Sequence, residues 1–169
     1  IAKKHNLKVI YDAAHCFGVK YNGESLFNYG DIITCSFHAT KIFNRGEGGA
    51  MFCKDEDLYK KLFYSHNFGH KGEEDFHGLG INAKMSELQA AMGLAVLPYV
   101  ENLINNRKII IENYDCLLNF EKLRKITIRK QSEWNYSYYP VIFDNEEKLL
   151  MDQKAFNNKK IYTMRYFFD

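Results

Sequence analysis

The sequence predicts an α/β fold, a mostly parallel sheet with helices on both faces, followed by a smaller α+β portion. Short apolar runs ending in an acid or a polar loop, Lys8-Val9-Ile10-Tyr11-Asp12 and Asp31-Ile32-Ile33-Thr34-Cys35-Ser36-Phe37, read as buried parallel strands. Apolar residues at helical spacing follow them from Leu58 onward. The chain has 169 residues and 46% hydrophobic content, enough for one sizeable core.

The elements follow in order. After the strand ending at Asp12 come two alanines, then Gly18 and a loop through Gly23. The second strand, 31–37, runs into a polar loop from Thr40 to Gly49 that contains three glycines. Ala50-Met51-Phe52-Cys53 is a third strand, and Lys54-Asp55-Glu56 opens a helix carrying Leu58, Leu62 and Phe63. Residues 64–82 form a loop rich in Gly, His and Asn. Met85, Leu88, Ala91, Met92 and Ala95 then recur at spacings of three and four, giving a helix with one apolar face that Ser86 or Asn82 is placed to cap. Pro98 interrupts it, and residues 99–118 continue as helix. Tyr136–Phe143 and Ile161–Phe167 are aromatic strand candidates. This change of character puts one boundary near residue 120, with 1–120 before it and 121–169 after it.

A formal net charge of +2 gives no electrostatic reason to expect nucleic acid or an acidic membrane as partner. No window approaches 18 uncharged apolar residues, so no membrane span is expected. The four cysteines form no C-x-x-C pair, and three lie in or beside expected strands, as free thiols of a reducing compartment do. The six histidines are scattered, so no metal site is expected. The chain opens on Ile1 with a helix tail and reads as a piece of a longer protein.

Open α/β sheets place their active sites beyond the carboxyl ends of strands. Asp12 ends one strand and Lys41 follows another on a loop. Taken alone, a strand-terminal Asp is ordinarily a cap or turn residue, and a loop Lys a solvated charge. Their surroundings change this. Ser36-Phe37-His38-Ala39-Thr40-Lys41 followed by Gly46-Glu47-Gly48-Gly49-Ala50 resembles the lysine segment of the DegT/DnrJ/EryC1/StrS family of pyridoxal-5′-phosphate (PLP) enzymes. Asp12-Ala13-Ala14-His15 resembles that family's Asp segment, and the run from Gly80 to Ala91 its downstream helix entry. Tyr138-Tyr139-Pro140-Val141 and Arg165-Tyr166-Phe167 resemble its C-terminal strands.

The resemblance implies a fold-type I PLP-dependent transferase, aspartate-aminotransferase-like. Residues 1–120 would be the C-terminal part of its large PLP-binding domain with connecting helices, and 121–169 the beginning of its small domain. It makes Lys41 the amine that carries the cofactor and the mover of the substrate proton. It makes Asp12 the carboxylate that keeps the pyridine nitrogen protonated. It gives Ser36 a phosphate contact, Asn82 a contact with the phosphate of a neighbouring subunit, and His15 a place against the cofactor ring or its 3′ oxygen. The residues alone leave other readings open: Ser36 bonding its own backbone, Asn82 capping the next helix, His15 as packed core. His38, His66, His70, His77, Lys84 and Arg165 carry less weight. The upstream phosphate loop of the family is not among these residues, so the chain by itself is expected to bind PLP poorly.

The function implied is aminotransfer from an amino acid, glutamate by expectation, to a nucleotide-linked keto-sugar, in amino-sugar and polysaccharide biosynthesis. The resemblance also implies a cytoplasmic homodimer with shared active sites, and neither nucleic acid nor membrane as partner. Three alternatives stand beside it: a sugar dehydratase of the same fold, in which His replaces the lysine, a non-catalytic regulatory homologue, and an aminotransferase for another acceptor such as a small keto acid. Lys41 speaks against the first. The joint presence of Asp12, Ser36 and Lys41 speaks against the second.

Overall fold

The computed structural model describes residues 1–166. In chain order its strands are β1 (Ile10–Asp12), β2 (Lys20–Tyr21), β3 (Glu24–Ser25), β4 (Ile32–Ser36), β5 (Gly49–Phe52), β6 (Arg124–Lys125), β7 (Ser132–Glu133) and β8 (Val141–Ile142). The α-helices are α1 (Glu56–Ser65), α2 (Glu87–Val96), α3 (Val100–Leu117) and α4 (Glu146–Asn158). The chain forms two compact units. One is Ile1–Ile109 with Arg129–Ser137, the other Ile110–Ile128 with Tyr138–Asp169. Where the sequence suggests one boundary near residue 120, the chain passes between these units three times.

In the first unit β1 and β4 pair in parallel, Ile10 opposite Ile32 and Asp12 opposite Thr34. β5 joins β4 antiparallel, from Ile33 opposite Phe52 to Ser36 opposite Gly49. The direction reverses because the 37–48 loop folds straight back: Phe37 N–H donates to the Gly48 carbonyl at 2.7 Å and Arg45 N–H to the Phe37 carbonyl at 3.0 Å. Within this chain the sheet is therefore mixed. A second, small sheet has the order β3-β2-β7, which carries the 129–137 segment back to the beginning of the chain. The sequence reading did not contain this ladder.

The core of this unit gathers Cys35, Phe37, Phe43 and Val100, with Phe17, Phe27, Ala50, Phe52, Val96 and Ile104 packed against it. Phe17 and Phe43 stack with ring centroids 4.4 Å apart, and Phe37 meets both edge-on, at 5.9 and 4.9 Å. β4 alternates as a half-buried strand does, with Ile33 and Cys35 inside. α1 begins where Asp55 Oδ1 accepts from Leu58 N–H. α2 begins at Ser86, in a capping box with Gln89. Ser86, not Asn82, is thus the cap. The stripe formed by Met85, Leu88 and Met92 is exposed, and α2 packs instead through Gly93, where an added Cβ would lie 3.6 Å from Phe43.

In the second unit β6 and β8 pair antiparallel. Tyr139 Oη donates to Asp115 Oδ1 at 2.5 Å, and Lys125 Nζ donates to Asp115 Oδ2 at 2.8 Å. Burial, then this bond to Asp115, pushes the Tyr139 phenol up to about 12. α4, absent from the sequence reading, is capped by Asn145, whose Oδ1 accepts from Lys148 N–H. Of the expected strand 136–143 only Val141–Ile142 forms. Tyr136 has φ 55°, and Pro140 has no N–H to give a ladder. The expected strand 161–167 finds no ladder over residues 161–166, and Phe167 lies outside the described residues. Among the described residues no helix is long and apolar enough to cross a membrane.

Replacing Phe43 by Ala removes the ring that Phe17, Phe37 and Gly93 all meet. The full-length protein is expected to lose about 3–5 kcal/mol, as for other buried Phe to Ala changes. Urea unfolding checks it; a midpoint unchanged from the parent contradicts this packing.

Candidate functional site

Asp12 is the last residue of β1, at the carboxyl end of a parallel pair. Ala13 N–H donates to the Thr34 carbonyl at 2.9 Å, holding the chain to β4 for one more residue. The backbone then turns: Asp12 Oδ1 accepts from Ala14 N–H at 3.1 Å, and Cys16 N–H reaches the Ala13 carbonyl at 2.9 Å. A short side chain that bonds the backbone two residues on is what makes Asp a turn former. This turn carries His15.

Ser36 ends β4 opposite Gly49, and its Oγ accepts from His38 N–H at 3.3 Å. Lys41 N–H donates to the His38 carbonyl at 2.9 Å. Apolar residues pin the loop on either side of the lysine: Phe37, Ile42 and Phe43 are all buried. The far limb is held by Arg45, whose Nη2 donates to the Gly49 carbonyl at 2.9 Å while its guanidinium lies 5.0 Å from the Phe37 ring centre and also meets Met85 Sδ. Gly48 is needed here. Its φ is +134°, and a Cβ would fall 2.5 Å from the Arg45 guanidinium.

The two loops meet at Lys41 Nζ and His15 Nε2, 3.3 Å apart. Partial burial holds the His15 imidazole below its ordinary value, the Lys41 charge pushes it the same way, and Asp12 opposes them. His15 is thus kept neutral beside the amine. Burial, and then Asp12, raises the Cys16 thiol. Burial pushes Cys35 up to about 11, so at neutral pH it is an inert core thiol.

Four of the five residues singled out in the sequence therefore gather at the ends of β1 and β4: Asp12, His15, Ser36 and Lys41. Asn82 is held on a different segment. It bridges Asn67 across the 67–82 loop, and its Oδ1 accepts from Lys84 Nζ at 2.5 Å. Sequence reasoning missed Phe17 and Asn135. Asn135 is 1% exposed, and its Nδ2 donates to the carbonyls of His15 and Phe17, both at 2.8 Å. Nothing local to Trp134-Asn135-Tyr136 signals a partner so distant along the chain.

The set fits the demands of pyridoxal phosphate group by group. A carboxylate at a strand end suits a protonated ring nitrogen. An amine suits the aldehyde. A neutral imidazole beside that amine suits the ring face or its oxygen, and the Ser36 hydroxyl, which still has its proton to donate, suits a phosphate oxygen. Among the described residues no group of three or more His, Cys, Asp or Glu is placed to hold a metal ion.

A model of the DegT/DnrJ/EryC1/StrS aminotransferase family matches residues 1–169. The chain is 38% identical to a dTDP-4-amino-4,6-dideoxy-D-glucose transaminase of Shigella dysenteriae, over 99% of the chain and 47% of that protein. It is 34% identical to a protein of the same name from Escherichia coli, over 99% of the chain and 46% of that protein. The chain thus spans about half the length of these curated relatives. Among solved structures it superposes on DesI, determined in the presence of its TDP-sugar product, with a TM-score of 0.87 and 31% identity over 98% of the chain and 43% of DesI. The aminotransferase TlmJ from Streptoalloteichus hindustanus shares the fold, with a TM-score of 0.88 and 22% identity over 98% of the chain and 46% of TlmJ.

The depressed His15 has a consequence for stability. A histidine held below its ordinary 6.5 in the native state takes up its proton more readily when unfolded. Its contribution is therefore intact above that value and is lost as pH falls through it. His15→Gln is expected to flatten this acid loss in urea unfolding. Lys41→Met is expected to raise the His15 midpoint in an NMR titration of the ring protons. A midpoint indifferent to Lys41 contradicts the pairing.

Proposed function

Because this chain belongs to the DegT/DnrJ/EryC1/StrS aminotransferase family, we propose that the protein carrying it moves an amino group from an amino acid, glutamate by expectation, to a nucleotide-linked keto-sugar. The observation that carries this reading is the approach of Lys41 Nζ to His15 Nε2, 3.3 Å, beside a strand-terminal Asp12. The names of the similar proteins support a dTDP-linked 4-keto sugar as acceptor. The amino-sugar product would serve polysaccharide biosynthesis in the cytoplasm.

The roles follow from the chemistry of each side chain. Bound pyridoxal phosphate supplies the electron sink that makes a carbon–hydrogen bond next to nitrogen acidic. Asp12 holds the ring nitrogen protonated, since an adjacent opposite charge favours the charged form. Lys41 would hold the cofactor through its amine, and the same Nζ would hold or move a proton at the reacting carbon. His15, neutral, holds the amine or the ring oxygen by hydrogen bond without adding positive charge. Ser36 donates to the phosphate. The exposed stripe Met85, Leu88 and Met92 supports a homodimer, in which Asn82 reaches the partner's phosphate.

Borohydride reduction of the full-length protein with PLP, followed by peptide mapping, is expected to place the pyridoxyl group on Lys41. A label on another lysine overturns the assignment. Asp12→Asn is expected to keep the label but slow transfer by several orders of magnitude, as loss of about 4 kcal/mol or more of stabilisation implies. Assay against dTDP-, UDP- and GDP-linked 4-keto sugars with glutamate tests the substrate; no transfer to any of them overturns it.

Mixed dimers test the shared site. Lys41→Ala and Asn82→Ala subunits, each nearly inactive alone, are expected to regain activity when mixed, because one site per mixed dimer then carries neither defect. Heterodimers that form yet stay inactive place Asn82 within its own subunit.

A further inference from the structure

We infer that Asn135 is a positioning residue for this site: by holding the carbonyls of His15 and Phe17 it sets the turn that presents the His15 imidazole to the Lys41 amine. The inference rests on the role proposed for Lys41, and on geometry of its own.

Both donors of the amide and its oxygen are engaged. Both Nδ2–H groups are spent on carbonyls two residues apart, each at 2.8 Å, and Oδ1 accepts from Ser137 N–H at 3.2 Å. Asn suits the place because a planar NH₂ offers two diverging donors on one atom, whereas Asp would set an acceptor against two acceptors. The backbone around it is strained. Tyr136 has φ 55°, a left-handed conformation that aromatic residues rarely adopt. Two bonds to Ser137 hold it there: the one to Asn135 Oδ1 and one from Arg107 Nη1 to the Ser137 carbonyl at 2.7 Å. Non-glycine residues in such conformations persist only where surrounding contacts over-determine them, and they gather at functional sites.

Stability alone does not explain the arrangement. The segment is already attached by its ladder, Lys20 opposite Glu133 and Tyr21 opposite Ser132, and by Asn22 N–H to the Gln131 carbonyl at 3.0 Å. The asparagine adds a clamp on one further turn, the one bearing His15. The 3.3 Å between His15 and Lys41 tolerates little movement, because a hydrogen bond weakens steeply beyond its normal range. Among the described residues, Lys41 and Asp12 are charged groups that act on His15, with Cys16 next in the chain.

The test uses the full-length protein with Asn135→Ala and Asn135→Asp, against Asp55→Ala, which loses the α1 cap elsewhere in the same unit. His15 is titrated by NMR, and transfer kinetics are measured alongside. Both Asn135 variants are expected to move the His15 midpoint and to lower kcat on the order of tenfold or more, as loosened positioning does, with KM for the nucleotide sugar little changed. Asp55→Ala is expected to lower the melting temperature and leave the His15 midpoint in place. A folded Asn135→Ala protein with an unmoved His15 midpoint overturns the inference, as does a midpoint that moves equally in Asp55→Ala. If neither Asn135 variant folds, the unmodified protein decides: the Asn135 side-chain amide signals must follow pH with the His15 midpoint, and signals blind to it overturn the inference. A pyridoxyl label on a lysine other than Lys41 would defeat the functional reading, while the His15 titration would still report on Asn135.

Discussion

The stacking of Phe17 on Phe43 is the contact on which the rest of the site depends. Phe17 lies two residues past His15, and Phe43 two residues past Lys41. The rings therefore draw together two loops that share no secondary structure and leave their two strands at different points. Phe37 closes the group edge-on, and Ile42 is buried beside Phe43. A pair of well-placed rings adds about 0.5–1.5 kcal/mol beyond the area it buries, and the burial itself contributes more. The chemistry-bearing side chains are consequently passengers on apolar anchors. Lys41 stands where the chain passes from the exposed Ala39 and Thr40 to the buried Ile42 and Phe43.

Polar groups refine what the rings assemble. The Asp12 carboxylate caps its own turn by accepting from Ala14 while acting on His15 through space. The lysine loop reverses within twelve residues, and Gly48 is needed where the Arg45 guanidinium lies against the backbone. In the second unit Asp115 is shared between Lys125 and Tyr139, whose phenol stays protonated far into the alkaline range. This is a structural pairing.

The sequence made the placement of the candidate residues legible where its signal was local. Asp12 at a strand end, Lys41 in its glycine-bracketed loop and Ser36 just before it were readable because their neighbours in the chain are their neighbours in space. β1, β4, β5 and the first three α-helices were readable for the same reason, through short apolar runs and helical spacing. The antiparallel turn of β5 was not, because the 37–48 loop is long enough to suggest several paths. The strand expected over 136–143 failed at the left-handed Tyr136, at Ser137, whose carbonyl accepts from Arg107, and at Pro140, which has no N–H; these outweigh aromatic β-propensity. α4 was missed although Asn145 precedes two glutamates, since an aromatic run drew attention away from it. Phe17, Asn135 and the β2–β7 ladder stayed hidden, because nothing in one short window announces a partner more than a hundred residues away.

That last separation has a bearing on time. Asn135 bonds to His15 across 120 positions and to Phe17 across 118. At a ribosomal rate of about 5–20 residues per second, roughly 6–24 seconds pass between the emergence of one end of this clamp and the other. During that interval β1, β4 and the lysine loop can pair, since their contacts close over a few tens of residues, while the His15 turn lacks its anchor. Closing so long a loop is entropically slow but only modestly more costly than closing a short one. The bonds from Asn135 to His15 and Phe17 are thus the last of these contacts to become available as the chain is made, 120 and 118 positions after the groups they hold.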